Sequence, residues 1–166
     1  MKYRTLILAL VASGMMAPAF AGEISLPEYH LAITLPDGWQ QLSGNDTIIL
    51  VRVQADSTRL RFVFVRAPLP VKPESVQDSG FQSGVKRSLL DQGFVRIVRS
   101  EVIKVAGSDA YLCEAAREDK PYSVIKVVWF HEGHSMSLHF ASFAKPFKDV
   151  PDIRTIIDSV KVLPKS

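Results

Sequence analysis

Four β-rich stretches follow one another between residues 94 and 143, and the segments joining them are too short to cross a sheet. The stretches cover 94–105, 110–116, 123–131 and 135–143. Between them lie Ala106-Gly107-Ser108-Asp109, residues 117–122 and Glu132-Gly133-His134. A parallel crossover needs about a dozen residues or more, so these strands run as an antiparallel meander. The last pair sets its own register. With a two-residue Glu132-Gly133 loop, His131 faces His134, Trp129 faces Met136, Val127 faces Leu138 and Ile125 faces Phe140. Three consecutive apolar pairs read as core. The opposite face, with Lys126 against His139 and Phe130 against Ser135, is mixed and partly wet.

Upstream, residues 30–35 alternate toward a strand and Pro36-Asp37-Gly38 is a turn signal. Residues 47–54 and 59–66 are β-rich around Ala55-Asp56-Ser57-Thr58, a common hairpin connection. Pairing Gln54 with Arg59 places Arg52 opposite Arg61, Leu50 opposite Val63 and Ile48 opposite Val65. The other face then carries Val53 with Leu60, Val51 with Phe62 and Ile49 with Phe64. It is wholly apolar, so it is the expected core face. Pro68, Pro70 and Pro73 end the hairpin and lead into a helix marked by Phe81, Val85 and Leu89, with Gly93 as its stop. Gly80 and Gly84 each cost about 1 kcal/mol relative to Ala inside a helix and imply a frayed or delayed start. Near the end, Asp149-Val150-Pro151-Asp152 supplies a cap and a first turn. Ile153, Ile156, Ile157 and Val160 then form a stripe that packs on the sheet. The expected class is α+β: an antiparallel sheet of six or seven strands flanked by helices.

Residues 1–21 read as a secretory signal peptide. Lys2 and Arg4 precede an apolar run from Leu6, and Ala19-Phe20-Ala21 has the small-x-small pattern of a cleavage site, with the cut after Ala21. The apolar stretch is shorter than the ~20 residues of a spanning helix. No cysteine lies near the cut, which excludes a lipoprotein anchor. Residues 22–166 form a single expected domain, with 18 basic against 17 acidic residues, or +1, where the full chain carries +3. A nearly neutral exported domain gives no reason to expect nucleic acid as a partner. No second long apolar stretch follows, so no integral membrane segment is expected after cleavage. The expected location is periplasmic or secreted. Hydrophobic residues at 47% provide for a real core, and one cysteine excludes an internal disulfide framework.

The order strand, Pro-Asp-Gly-Trp turn, hairpin, helix, antiparallel meander, terminal helix resembles the PsbP-like and DcrB-like superfamily of small α/β/α sandwich domains. The features that carry the resemblance are Ile33-Thr34-Leu35-Pro36-Asp37-Gly38-Trp39, the Ala106-Gly107-Ser108-Asp109-Ala110 turn into a strand, and Ile156-Ile157-Asp158-Ser159-Val160. It covers nearly all of residues 28–163. It implies an exported binding or accessory protein, and no catalytic residue to carry over, since the superfamily shares no catalytic motif. The missing lipidation cysteine departs from its lipoprotein members.

The chain holds no nucleophile elbow, Walker loop, His-Glu-x-x-His pair, EF-hand loop or dinucleotide fingerprint, so no cofactor is expected. His131 and His134 are weak metal candidates: a cross-strand imidazole pair that lacks a third ligand. His139 falls on the other face in the same register. Arg52, Arg59 and Arg61 are the candidate partner-binding residues, an exposed basic patch facing an acidic surface. Against that stands a solvated edge with charges that guard against aggregation. Cys113 has no activating neighbour in sequence and reads as a small core residue. Trp39 and Trp129 read as packing groups. The expected function is a non-catalytic envelope protein that binds a protein partner or assists an assembly. The alternatives are a carrier of a small hydrophobic ligand, lined by residues such as Phe62, Phe64, Trp129 and Phe140, or a small hydrolase.

Overall fold

The computed structural model describes residues 22–37, 39–42, 48–53, 59–68, 75–118, 122–142 and 152–164, with the backbone alone at 28, 40–42, 48–53, 59–68 and 142. In chain order the elements are β1 (Gly22–Leu26), a 3-10 turn (Pro27–Tyr29), β2 (Leu31–Leu35), β3 (Trp39–Leu42), β4 (Ile48–Val53) and β5 (Arg59–Pro68). After them come α1 (Ser79–Leu90), β6 (Arg96–Val105), β7 (Ser108–Ala116), β8 (Ser123–His131), β9 (His134–Ser142), α2 (Asp152–Ser159) and β10 (Lys161–Val162). Seven strands form one sheet in the order β3-β4-β5-β9-β8-β7-β6, and three form a second, β1-β2-β10. Every pairing is antiparallel. The α+β class and the helix-flanked antiparallel sheet are as the sequence implies. The three-stranded sheet is additional: β2 is the strand expected at 30–35, and it pairs with β1 and with the two-residue β10.

Two tight turns hold the meander. Ala106 and Gly107 lie at φ of 50° and 80°, and Glu132 and Gly133 at 48° and 74°. Two successive left-handed residues make a type I′ turn, whose twist matches that of the strands it joins. The β8–β9 register is the expected one, from His131 opposite His134 to Ile125 opposite Phe140. At the earlier turn β7 starts at Ser108, because the two-residue turn replaces the four-residue connection read from sequence.

The centre of the large sheet, at β7 and β8, is buried on both faces. On the first face Ile125, Val127, Trp129, Met136, Leu138 and Phe140 join Ala110 and Leu112 in one cluster with Ile153, Ile156, Ile157 and Val160. Leu31, Ile33 and Leu35 of the small sheet close the same cluster. This is the α2 face. On the opposite, α1 face, Tyr111, Cys113, Ala115, Val124 and Val128 pack with Val85, Leu89 and Phe94. β7 runs between both clusters and is buried from Ala110 to Ala115, which explains why it has no polar alternation.

The helices attach by specific polar contacts. Asp78 caps α1, its Oδ1 accepting the Phe81 N–H at 2.8 Å. A Cβ on Gly80 would stand 3.0 Å from that oxygen, so the glycine makes room for the cap. Gly84 has nothing within 4 Å of its would-be Cβ. Both glycines lie inside α1, so the delayed start expected from them does not occur: the cap and the buried Val85 and Leu89 outweigh two unfavourable propensities. The Ser159 hydroxyl accepts the Thr34 N–H at 3.0 Å and stitches α2 to β2. The Trp39 indole N–H donates to Asp152 Oδ2 at 3.2 Å, joining β3 to the first residue of α2. Among the described residues, no helix is long and apolar enough to cross a membrane.

Candidate functional site

The basic hairpin adopts a register one residue from the expected one. Val53 pairs with Arg59, Arg52 with Leu60 and Val51 with Arg61. Opposed residues share a face, so Arg52 and Arg61 fall on opposite faces of the sheet. Arg52 lies on the α2 face, opposite Leu60 on one side and Trp39 on the other. Arg59 and Arg61 lie on the α1 face, with Val63 and, across β9, His139. The three arginines therefore do not form one patch. The physical reason is that β4 (IILVRV) is apolar in both alternations apart from Arg52, so its own pattern sets no register. The register found also avoids opposing two guanidinium groups, which would cost roughly 0.2–1 kcal/mol. Phe62 and Phe64 of β5 keep the α2 face, opposite Phe140 and Leu138.

A polar row crosses the α1 face next to those positions. Ser100, Cys113, Lys126 and His139 stand opposite one another on β6, β7, β8 and β9. The Lys126 ammonium reaches Ser88 Oγ of α1 at 3.4 Å, and His139 Nε2 lies 3.0 Å from Ser137 Oγ. Burial lowers the Lys126 pKa below the usual lysine range. Burial first, and Lys126 second, push the His139 imidazole down from 6.5 to about 4. Burial raises the Cys113 thiol, outweighing Lys86 and Lys126 nearby. Near pH 7 the row thus holds a neutral imidazole and an unionised thiol, a poor set for base or nucleophile work. Cys113, at 0% exposure, is the small core residue the sequence implies.

At the β8–β9 tip, His131 and His134 face each other as expected. Glu132 does not turn to them: its Oε2 pairs with His30 Nδ1 at 2.9 Å. Its backbone carbonyl accepts from His134 Nδ1 at 2.9 Å. His131 Nε2 is buried without a hydrogen-bond partner among the described residues. Among the described residues no three His, Cys, Asp or Glu side chains gather in a way that can hold a metal ion. Sequence reasoning missed His30, which sits 102 residues from Glu132. No local pattern announces it, because the contact exists only once the two sheets stack.

No family model matches the chain, and no curated protein matches its sequence. Solved structures do match. A cyanobacterial PsbP from Synechocystis aligns at 15% identity and a TM-score of 0.57, covering 92% of this chain and 98% of that one. LpqN of Mycobacterium tuberculosis, described as involved in cell envelope biogenesis, aligns at 14% identity and a TM-score of 0.53, covering 81% and 83%. A Bacteroides thetaiotaomicron protein aligns at 10% identity and a TM-score of 0.54 over 88% of this chain. The chain spans only about half of that protein's length, at 50%. The fold is PsbP-like, and at these identities the likeness concerns the fold alone.

Proposed function

We propose that this chain is an exported, non-catalytic accessory domain that binds a protein partner outside the cytoplasm, after removal of residues 1–21. The leader-like start and the fold shared with LpqN, an envelope biogenesis protein, support the location. The described strand β1, Gly22–Leu26, lies after the expected cut.

The observation that carries the binding-module reading is the close packing of the sheet's described aromatic residues. A carrier needs an enclosed apolar cavity beside the aromatic residues of the sheet. Trp129 is 0% exposed and Phe140 1%, and both pack in one cluster with the isoleucines of α2. The neutral His139 and the raised Cys113 thiol weigh against a hydrolase. Function then rests on the surface, and the α1-face positions Arg59 and Arg61 are where an acidic partner is met. In purified protein immobilised and offered envelope extract, the double variant Arg59→Glu and Arg61→Glu should lose a salt-sensitive partner that Arg52→Glu retains. Equal capture by both variants would remove the arginines from the interface. Recovery of a bound lipid or other small apolar molecule from the purified protein would replace the reading with a carrier.

A further inference from the structure

Strand β6 closes the large sheet at the end away from the arginine hairpin. It has β7 on one side and, among the described residues, no strand on the other. It is ten residues long and exposed over most of its length, unlike β7 beside it. Val95, Val98 and Val102 are 58%, 43% and 40% exposed. A long edge carrying exposed valines is a template for another strand unless something occupies it.

The sequence of β6 selects the occupant. Read outward from Ser100, Arg99 is matched by Glu101, Val98 by Val102 and Ile97 by Ile103. We infer that β6 pairs antiparallel with β6 of a second copy of this chain, about a twofold axis at Ser100, to form a continuous fourteen-stranded sheet, two sheets of seven strands each. Two antiparallel strands side by side are related by an axis perpendicular to the sheet. Opposed residues must then be symmetric about a residue position. Centring on Arg99, Glu101 or Lys104 opposes identical charges. Centring on Ser100 opposes Arg99 to Glu101 twice and leaves the exposed Val98 and Val102 flanking those pairs.

Arg99 and Glu101 share the α2 face, are 52% and 50% exposed at their side chains, and already lie 3.4 Å apart within one copy. In the pair they close a ring of alternating charge across the axis. Arg99 also donates to Glu114 at 2.8 Å, which holds its guanidinium in place at the edge. Val98 is the unpaired residue of a bulge between Ile97 and Arg99, so the regular complementary stretch is 99–101 and the association is weak and reversible.

Cross-linking tests the axis directly. Opposed residues of an antiparallel pair have Cα atoms ~4.5–5.5 Å apart, within disulfide reach. Under mild oxidation, purified Ser100→Cys protein should form a covalent dimer, whereas Lys104→Cys protein should not. The native Cys113 is fully buried and does not compete. By sedimentation the unaltered protein should form a concentration-dependent dimer in the range of roughly 10–1,000 µM, and Glu101→Lys should weaken it about tenfold or more. A monomer throughout that range, equal cross-linking at 100 and 104, or a Glu101→Lys dimer as tight as the original would each overturn the proposal.

Discussion

Replacing His139 by Gln should flatten the acid dependence of folding stability. The imidazole sits on β9, on the α1 face of the sheet, with Lys126 opposite and Ser137 Oγ at 3.0 Å. Its pKa is about 4 in the fold against 6.5 in the open chain, chiefly through burial and secondly through Lys126. Between those values the unfolded chain binds a proton that the folded chain lacks, so stability falls as pH falls through the window. One such site makes the stability present above pH 6.5 shrink by about 2 kcal/mol at pH 5 and about 3 kcal/mol at pH 4. Carboxylates titrate in the same range, so the quantity to compare is the difference between the original protein and His139→Gln. Urea unfolding at pH 7.5, 6, 5 and 4 should show the variant losing less stability on acidification by that amount. Parallel curves would refute the burial reasoning, as would an NMR titration of the His139 ring near 6.5.

Three further outcomes follow from the packing. Leu138→Ala, at a fully buried position in the cluster closed by α2, should cost about 2–5 kcal/mol in urea unfolding, whereas Val162→Ala at an exposed position should shift stability by no more than about 0.5 kcal/mol. Asp78→Ala removes the cap on the Phe81 N–H and should cost about 1 kcal/mol, with earlier hydrogen exchange in the first turn of α1. Lys126→Met should raise the His139 pKa by removing the second cause of its depression, read as a shifted imidazole titration in NMR.

What could be read from residues alone depended on how strictly a strand alternates. The β8–β9 pairing was legible because Met136, Leu138 and Phe140 alternate with Ser135, Ser137 and His139 after a two-residue turn, so a slip would move the whole apolar set to the other face. Strand β4 has no such contrast, and its neighbours β3 and β5 decide its register. That difference splits Arg52 from Arg59 and Arg61. The cap at Asp78 outweighs Gly80 and Gly84, a balance that helix propensity alone misjudges. Strand β10 has two residues and no period at all. The expected cap around Asp149 and Pro151 and the turn at 55–58 lie outside the described residues. The candidate site fared worse than the fold. Row partners such as Ser100, Cys113, Lys126 and His139 become neighbours only across four strands, and His30 meets Glu132 only between sheets.

Strand β2 lies between β1, which precedes it directly, and β10, which arrives 126 residues after Leu35. The Leu163 N–H closes onto the His30 carbonyl at 2.8 Å, and Ser159 bonds Thr34 across 125 residues. During synthesis, therefore, the cover of the α2 face stays incomplete until residues 152–163 exist. A nascent chain cannot complete this core early, because the closure entropy of a loop that long is met only when its last contacts form. If the chain is exported as proposed, a fold that locks last at α2 keeps it transportable while it is being made.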